Sequence, residues 1–399
     1  MKKILITALV IALAFSALPA FAENGEAGTP VSRVTDYLFE ITCDGYEEHI
    51  GEANEFFTRY NPKLGGCSSV QNGYLRGRNY DWTFDEEPEF VIHVPANENG
   101  RHASLGVCAT TEITAADVEN GGIGKVINLL PYLTLDGIND AGLTVNINVV
   151  GYEEMGEYVL KNDDPADDTC PLMVPRLLLD NASSIDEAVA MMEEMDIFSL
   201  GTQEEAHYMI SGPRSPDDST FNTVVVELIP DEDMHYRLNV IDYSKGGFVD
   251  DRPVMTNFHL TGFDGSIESL TRHPMGYERY RILHDCFDQG TTVRGMMDLM
   301  KKVYYTRTYD LYIDSFWYSE FTAGDIDMTC RGAECLNGDP AAAGPFADAV
   351  IDAMEKYGAM NRDGLTWHTV HTSVYDTENG VLYVIPQEGS CAWEFHLEK

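Results

Sequence analysis

Gly65-Gly66-Cys67-Ser68-Ser69-Val70-Gln71-Asn72-Gly73-Tyr74-Leu75-Arg76-Gly77-Arg78-Asn79-Tyr80-Asp81 is the stretch on which the reading of this chain turns. Asn72-Gly73 between two extended runs is a hairpin signal, because two-residue turns favour Asn-Gly where both central positions need positive φ. Cys67 therefore begins a strand, immediately after two glycines. If Asn72-Gly73 forms the turn, Gln71 pairs with Tyr74 and Cys67 comes to lie opposite Arg78. Directly opposed residues share a face, so a permanent cation stands beside the sulfur. Strict alternation then turns Asp81 to the other face, and a bend or bulge after Arg78 is expected.

Working outward, residues 23–66 read as a leader: polar stretches with short apolar clusters such as Tyr37-Leu38-Phe39 suit a prosegment better than the opening of a core. Before them, Lys2 and Lys3, an apolar run from Ile4 to about Leu18 and Ala20-Phe21-Ala22 have the layout of a secretory signal peptide over residues 1–22. The run falls short of the roughly 20 apolar residues that span a bilayer. The expectation is a secreted or periplasmic protein with no membrane span, and residues 67–399 as one globular domain.

Cleavage after Gly66 would give Cys67 a free α-amine. Such an amine has a pKa of about 7.7–8.0 against about 8.5 for a thiol, so one residue can supply both base and nucleophile. The competing reading is a small buried core residue, the usual place of a cysteine.

The 66 acidic against 26 basic residues give a formal charge of −40, which repels phosphate backbones and excludes nucleic acid as a partner. The eight cysteines, at 43, 67, 108, 170, 286, 330, 335 and 391, include no CxxC pair, which argues against structural zinc. Gly121-Gly122-Ile123-Gly124-Lys125-Val126 lacks the first glycine and the hydroxyl of a P-loop. His368 and His371 lie three apart in an extended run, where alternation puts them on opposite faces and disfavours a shared metal. No cofactor is expected.

Further strands are read at 90–94, 143–150, 208–211 and 223–228, and a hairpin at 372–385 around Asn379-Gly380. Ser184-Ile185-Asp186-Glu187 is a capping box opening a helix with Ile185, Val189, Met192 and Met195 near one face, and a second helix is read over 345–357. Hairpins interleaved with amphipathic helices indicate an α+β protein with helices layered on mostly antiparallel sheet.

At Cys67 and at Gly77-Arg78-Asn79-Tyr80-Asp81 the sequence resembles the choloylglycine hydrolase family, which contains bile salt hydrolases and penicillin V acylases. Asn139-Asp140-Ala141-Gly142-Leu143 followed by Asn148 resembles its N-x-x-G-L stretch and oxyanion asparagine, Thr256-Asn257 its T-N dipeptide, and Arg279 its last site arginine, with Arg281 the alternative. The resemblance implies a four-layer αββα N-terminal-nucleophile sandwich with Cys67 at the start of a central strand, and a small-molecule N-acyl amide as substrate. It implies that Asp81 orients the α-amine, that Arg78 lowers the thiol pKa, and that Asn257 with the backbone N–H of Asn148 holds the oxyanion. An acyltransferase, an N-acyl lipid amide hydrolase or a non-catalytic exported binding protein are the alternatives on this scaffold, and the oligomeric state is open.

Overall fold

The computed structural model describes residues 31–59, 67–82, 88–109, 118, 127–151, 159–161, 168–198, 204–218, 220–246, 248–266, 269, 276–304, 368–386 and 391–398. The signal-like segment 1–22, the glycine-rich loop at 121–126, the helix read over 345–357 and Cys330 and Cys335 lie outside these residues.

Two sheets face one another. The smaller contains β3 (Cys67–Asn72), β4 (Leu75–Trp82), β14 (Val254–Met255), β15 (His368–Asp376), β16 (Val381–Pro386) and β17 (Trp393–His396), in the order β14-β3-β4-β15-β16-β17 and antiparallel throughout. The larger is formed by β1 (Val31–Arg33), β2 (Leu38–Thr42), β5 (Glu89–Val94), β6 (Ser104–Ala109), β7 (Thr134–Asn139), β8 (Thr144–Gly151), β11 (Glu204–Pro213), β12 (Phe221–Pro230) and β13 (Tyr236–Asp242), ordered β1-β2-β5-β6-β7-β8-β11-β12-β13. Only β2–β5 is parallel in it. A two-stranded parallel pair, β9 (Asp168–Thr169) and β10 (Asp196–Ile197), stands apart.

Helices cover both outer faces. After α1 (Ile50–Arg59), the short α2 (Val174–Asn181) lies on β7 and β8, and α3 (Ile185–Glu194) on β11 and β12. On the other side α4 (Tyr277–Asp285) packs against β14 and β3, and α5 (Val293–Met300) against β4 and β15. The αββα order follows from burial: the central strands have helices on one face and the opposite sheet on the other, so both of their faces are covered. In β8, Val145, Ile147 and Val149 join the helix-side core while Asn146 and Asn148 turn inward between the sheets. At one end of that inner space Leu38, Val91, Leu105, Ile138, Tyr375, Leu382 and Phe395 form an apolar cluster.

The hairpin is present with its register moved. Cys67 pairs with Tyr80 and Ser69 with Arg78, because Gly73 and Tyr74 form the turn and Asn72 pairs with Leu75. Gly73 has φ +57° and Tyr74 no positive φ, so glycine occupies the first central position, where a II′ turn places it. The shift is two residues, so Arg78 and Cys67 keep a common face. The irregularity expected after Arg78 lies in the partner strand: β15 pairs His371 with Tyr80 and Thr369 with Asp81, and Val370 is bulged out. Asp81 simply follows alternation to the helix side. The same bulge pairs His368 with Trp82, so alternation does not separate positions 368 and 371 as the sequence suggested.

The helix opened by Ser184 is present, with the Ser184 side chain accepting from the Glu187 N–H at 3.3 Å and the Glu187 carboxylate accepting from the Ser183 N–H at 2.8 Å. Residues 31–59, leader-like by composition, are built into the larger sheet: Leu38, Phe39, Ile41, Tyr46 and Ala53 are core residues. Among the described residues no helix is long and apolar enough to cross a membrane.

Candidate active site

Cys67 heads β3 with its thiol between the sheets and is buried. Three predicted residues hold three of its atoms. The Arg78 Nη2 lies 3.3 Å from Sγ, the Asn257 Oδ1 accepts from the Cys67 N–H at 3.0 Å, and the Arg279 Nη1 donates to the Cys67 carbonyl at 2.7 Å. Arg279 rather than Arg281 is the arginine that reaches this residue. From α4 it also donates to Ser68 Oγ at 2.9 Å and, through Nη2, to Asn257 Oδ1 at 2.7 Å, and its Nη1 lies 3.5 Å from Asp81 Oδ2.

Asp81 approaches from the helix side. Its carboxylate accepts from Thr369 Oγ1 at 2.6 Å, while its backbone N–H points at the Cys67 sulfur. Asn257 is oriented on its other side, with Nδ2 donating to Val149 O at 2.7 Å. Asn148 serves as a brace: Oδ1 accepts from Ser69 Oγ and Asn146 Nδ2, and Nδ2 donates to the Met255 and Thr256 carbonyls at 3.2 Å, fixing the end of β14 just before Asn257.

The charge balance at the sulfur differs from the sequence expectation in its net direction. Burial pushes the Cys67 thiol up and outweighs Arg78, the strongest influence lowering it; the Asp81 charge adds to the rise, and Arg279 and the Asp81 N–H oppose it. Arg78 therefore acts in the expected sense without deciding the outcome while Cys67 sits inside a continuous chain.

Several residues were missed. Asp136 of β7 receives Arg78 Nη1 at 3.0 Å, and Tyr375 OH donates to its other oxygen. Arg78 Nη2 also donates to Ile147 O at 3.0 Å, so the arginine spans the gap between sheets. Arg76, two residues back on the same face, donates to Gln71 Oε1 at 2.9 Å and Ser211 Oγ at 2.8 Å, and burial lowers its pKa to about 9. The available signal was Asp136 itself, a carboxylate inside the apolar run Leu133–Ile138 that needs a buried cation. Among the described residues no group of three His, Cys, Asp or Glu is arranged to hold a metal.

An αββα sandwich with a buried cysteine and two arginines at the head of its inner hairpin is the class that this structure defines. Residues 67–235 match the family described as linear amide C-N hydrolases, choloylglycine hydrolase family, which marks the chain as a hydrolase of carbon–nitrogen bonds in linear amides. Among solved structures the chain is similar to a mutant of conjugated bile acid hydrolase from Clostridium perfringens, with 16% identity over 84% of this chain and 92% of that one and a TM-score of 0.39. It is likewise similar to penicillin V acylase from Agrobacterium tumefaciens, with 16% identity over 83% and 86% and a TM-score of 0.37. No curated protein matches the sequence.

Proposed function

We propose that Cys67 is the nucleophile of this amide hydrolase and that it is exposed by autocatalytic cleavage of the Gly66–Cys67 bond in an exported precursor. One observation carries the reading: the nitrogen, carbonyl oxygen and sulfur of a single residue are each held by a different buried polar side chain, Asn257, Arg279 and Arg78. A cysteine that merely filled a core would need no such cradle.

In the proposed maturation the Cys67 thiolate attacks the Gly66 carbonyl, the peptide bond passes to a thioester as the Cys67 nitrogen takes up a proton, and water hydrolyses the thioester. The freed α-amine keeps Asn257 Oδ1 as its acceptor. With a substrate, that amine takes the thiol proton and the thiolate adds to the amide carbonyl. The developing oxyanion is met by the Asn148 backbone N–H and by one hydrogen of the Asn257 NH2, whose other hydrogen goes to Val149 O. The C–N bond breaks as the α-ammonium returns its proton to the leaving amine, and water then releases the acid and restores the thiol. Arg78 favours the thiolate, and Asp81, tied to Arg279, orients the amine.

The substrate is a small-molecule N-acyl amide. N-terminal sequencing tests the maturation: purified protein starts at Cys67, and Cys67→Ala stays uncut. A fully active enzyme still carrying Gly66 refutes it. A hydrolysis screen over conjugated bile salts, penicillin V and N-acyl amino acids identifies the acyl and amine groups.

A further inference from the structure

We infer that the segment read as a leader is a permanent part of the working enzyme, remaining bound as a separate short chain after the Gly66–Cys67 bond is cut; the inference rests on the maturation proposed above. A disposable leader should cover the site and touch the mature domain lightly. Residues 31–59 do otherwise. β2 is an interior strand of the larger sheet, pairing in parallel with β5 over Leu38–Thr42 and antiparallel with β1. Beyond the strand the Cys43 N–H donates to His93 O, and on its near side the Glu89 N–H donates to Tyr37 O, both at 2.8 Å.

Side chains reinforce the ladder. Leu38, Phe39 and Ile41 are buried on both faces of β2, and the Phe39 and Phe90 rings stack at 5.7 Å. Tyr46 enters the core beneath α2, edge-on to Tyr132, with its hydroxyl donating 2.6 Å to Asp180 Oδ2. Asp44 and Glu47 both pair with Arg101, and Asn97 Nδ2 donates to Glu47 at 2.9 Å. Loss of the segment would leave β5, apolar on both faces through Phe90, Val91 and Ile92, as a bare sheet edge, a template for aggregation. Apart from the β1–β2 pairing inside the segment, these contacts are with residues after 67, and none depends on the bond at Gly66. The partner that this edge fits is the segment's own strand.

The test uses the full chain carrying an affinity tag after Lys399, purified natively and followed by gel filtration and mass spectrometry. Two chains are expected to co-elute, one ending at Gly66 and one starting at Cys67, and to separate only in denaturant. A folded, active chain starting at Cys67 that elutes without the fragment overturns the inference. A single uncut chain refutes the maturation instead, and retention is then read from a variant with a specific protease site replacing residues 60–66: co-elution after cutting supports retention, loss overturns it. Asp44→Ala with Glu47→Ala, which removes carboxylates at the rim, should speed fragment release about two- to tenfold. An unchanged release rate argues against docking through Arg101.

Discussion

Arg78 contacts the Cys67 sulfur diagonally, from Nη2 at 3.3 Å, across a ladder in which Cys67 is paired with Tyr80. A diagonal contact suits a long side chain better than a direct one, since the guanidinium can reach past the neighbouring pair while its ring-facing side lies 5.6 Å from the Tyr80 centroid. The cation also reaches the opposite sheet, so its position is fixed from both sides. In mature protein Arg78→Leu should move the pH midpoint for alkylation of Cys67 upward by about 1–3 units, the usual effect of losing an adjacent opposite charge. Arg78→Lys should fall between. An unmoved midpoint in the Leu variant would remove the electrostatic role.

Asp136 is the anchor of that arginine, and its other oxygen takes the Tyr375 hydroxyl. Asp136→Asn leaves a buried guanidinium without its counter-charge, which costs about 3–5 kcal/mol. Tyr375→Phe removes one hydrogen bond and leaves the ion pair, for about 1 kcal/mol. Urea unfolding of the two variants should give this order, and amide hydrolysis should drop more in Asp136→Asn. Equal stability losses would show that Tyr375, not the charge pair, holds the sheets together here.

Asn257→Ala removes the acceptor for the Cys67 nitrogen and the proposed oxyanion donor in one step. Loss of such a donor lowers kcat by about 10²- to 10³-fold, with KM changing less. Steady-state kinetics on the substrate found by the screen decide it. A variant with intact kcat and a lowered Tm would make Asn257 structural.

Gly77, the glycine beside Arg78, explains its own place by space. A Cβ there would lie 2.7 Å from Met300 Cγ and 2.8 Å from Met296 Sδ of α5. Gly77→Ala should therefore destabilise by about 1–3 kcal/mol through overpacking, read from thermal or urea unfolding. The flexible methionine ends set the lower bound. No loss at all would mean that α5 can withdraw from β4.

What the sequence made legible and what it hid divide along one physical line. The face of Arg78 was legible because a slip of two residues preserves alternation, whereas the pairing itself depended on whether Asn72 or Gly73 opened the turn. Strands 90–94, 143–150 and 223–228 were legible from their apolar runs. The role of β2 was hidden: Leu38-Phe39-Glu40-Ile41-Thr42 carries a strand's composition, but its partner β5 lies across the whole Cys67 hairpin, and no local pattern announces a parallel pairing at that distance. Asp136 was hidden for the same reason, since its cation comes from the other sheet.

His371 supplies a prediction in pH. It pairs with Tyr80, its ring lies 5.4 Å from that of Tyr80, and it is fully buried between the sheets. Burial, with Arg78 adding to it and Asp136 opposing, pushes its pKa down to about 3. An unfolded histidine titrates near 6.5, so between about 6.5 and 3 the unfolded chain binds a proton that the folded chain refuses. Stability is then unaffected above 6.5 and falls as pH drops through that window, at about 1.4 kcal/mol per pH unit. Glu227, whose pKa is lowered by hydrogen bonds from His207 and His259 despite burial, also loses its contribution as pH falls. Comparison with His371→Phe separates the two, because Glu227 is the same in both proteins. Urea midpoints at pH 7 and 4.5 should show an acid-induced loss about 2 kcal/mol smaller in the variant. Identical losses would mean that His371 takes up its proton in the folded state, with the nearby Asp136 carboxylate able to hold it.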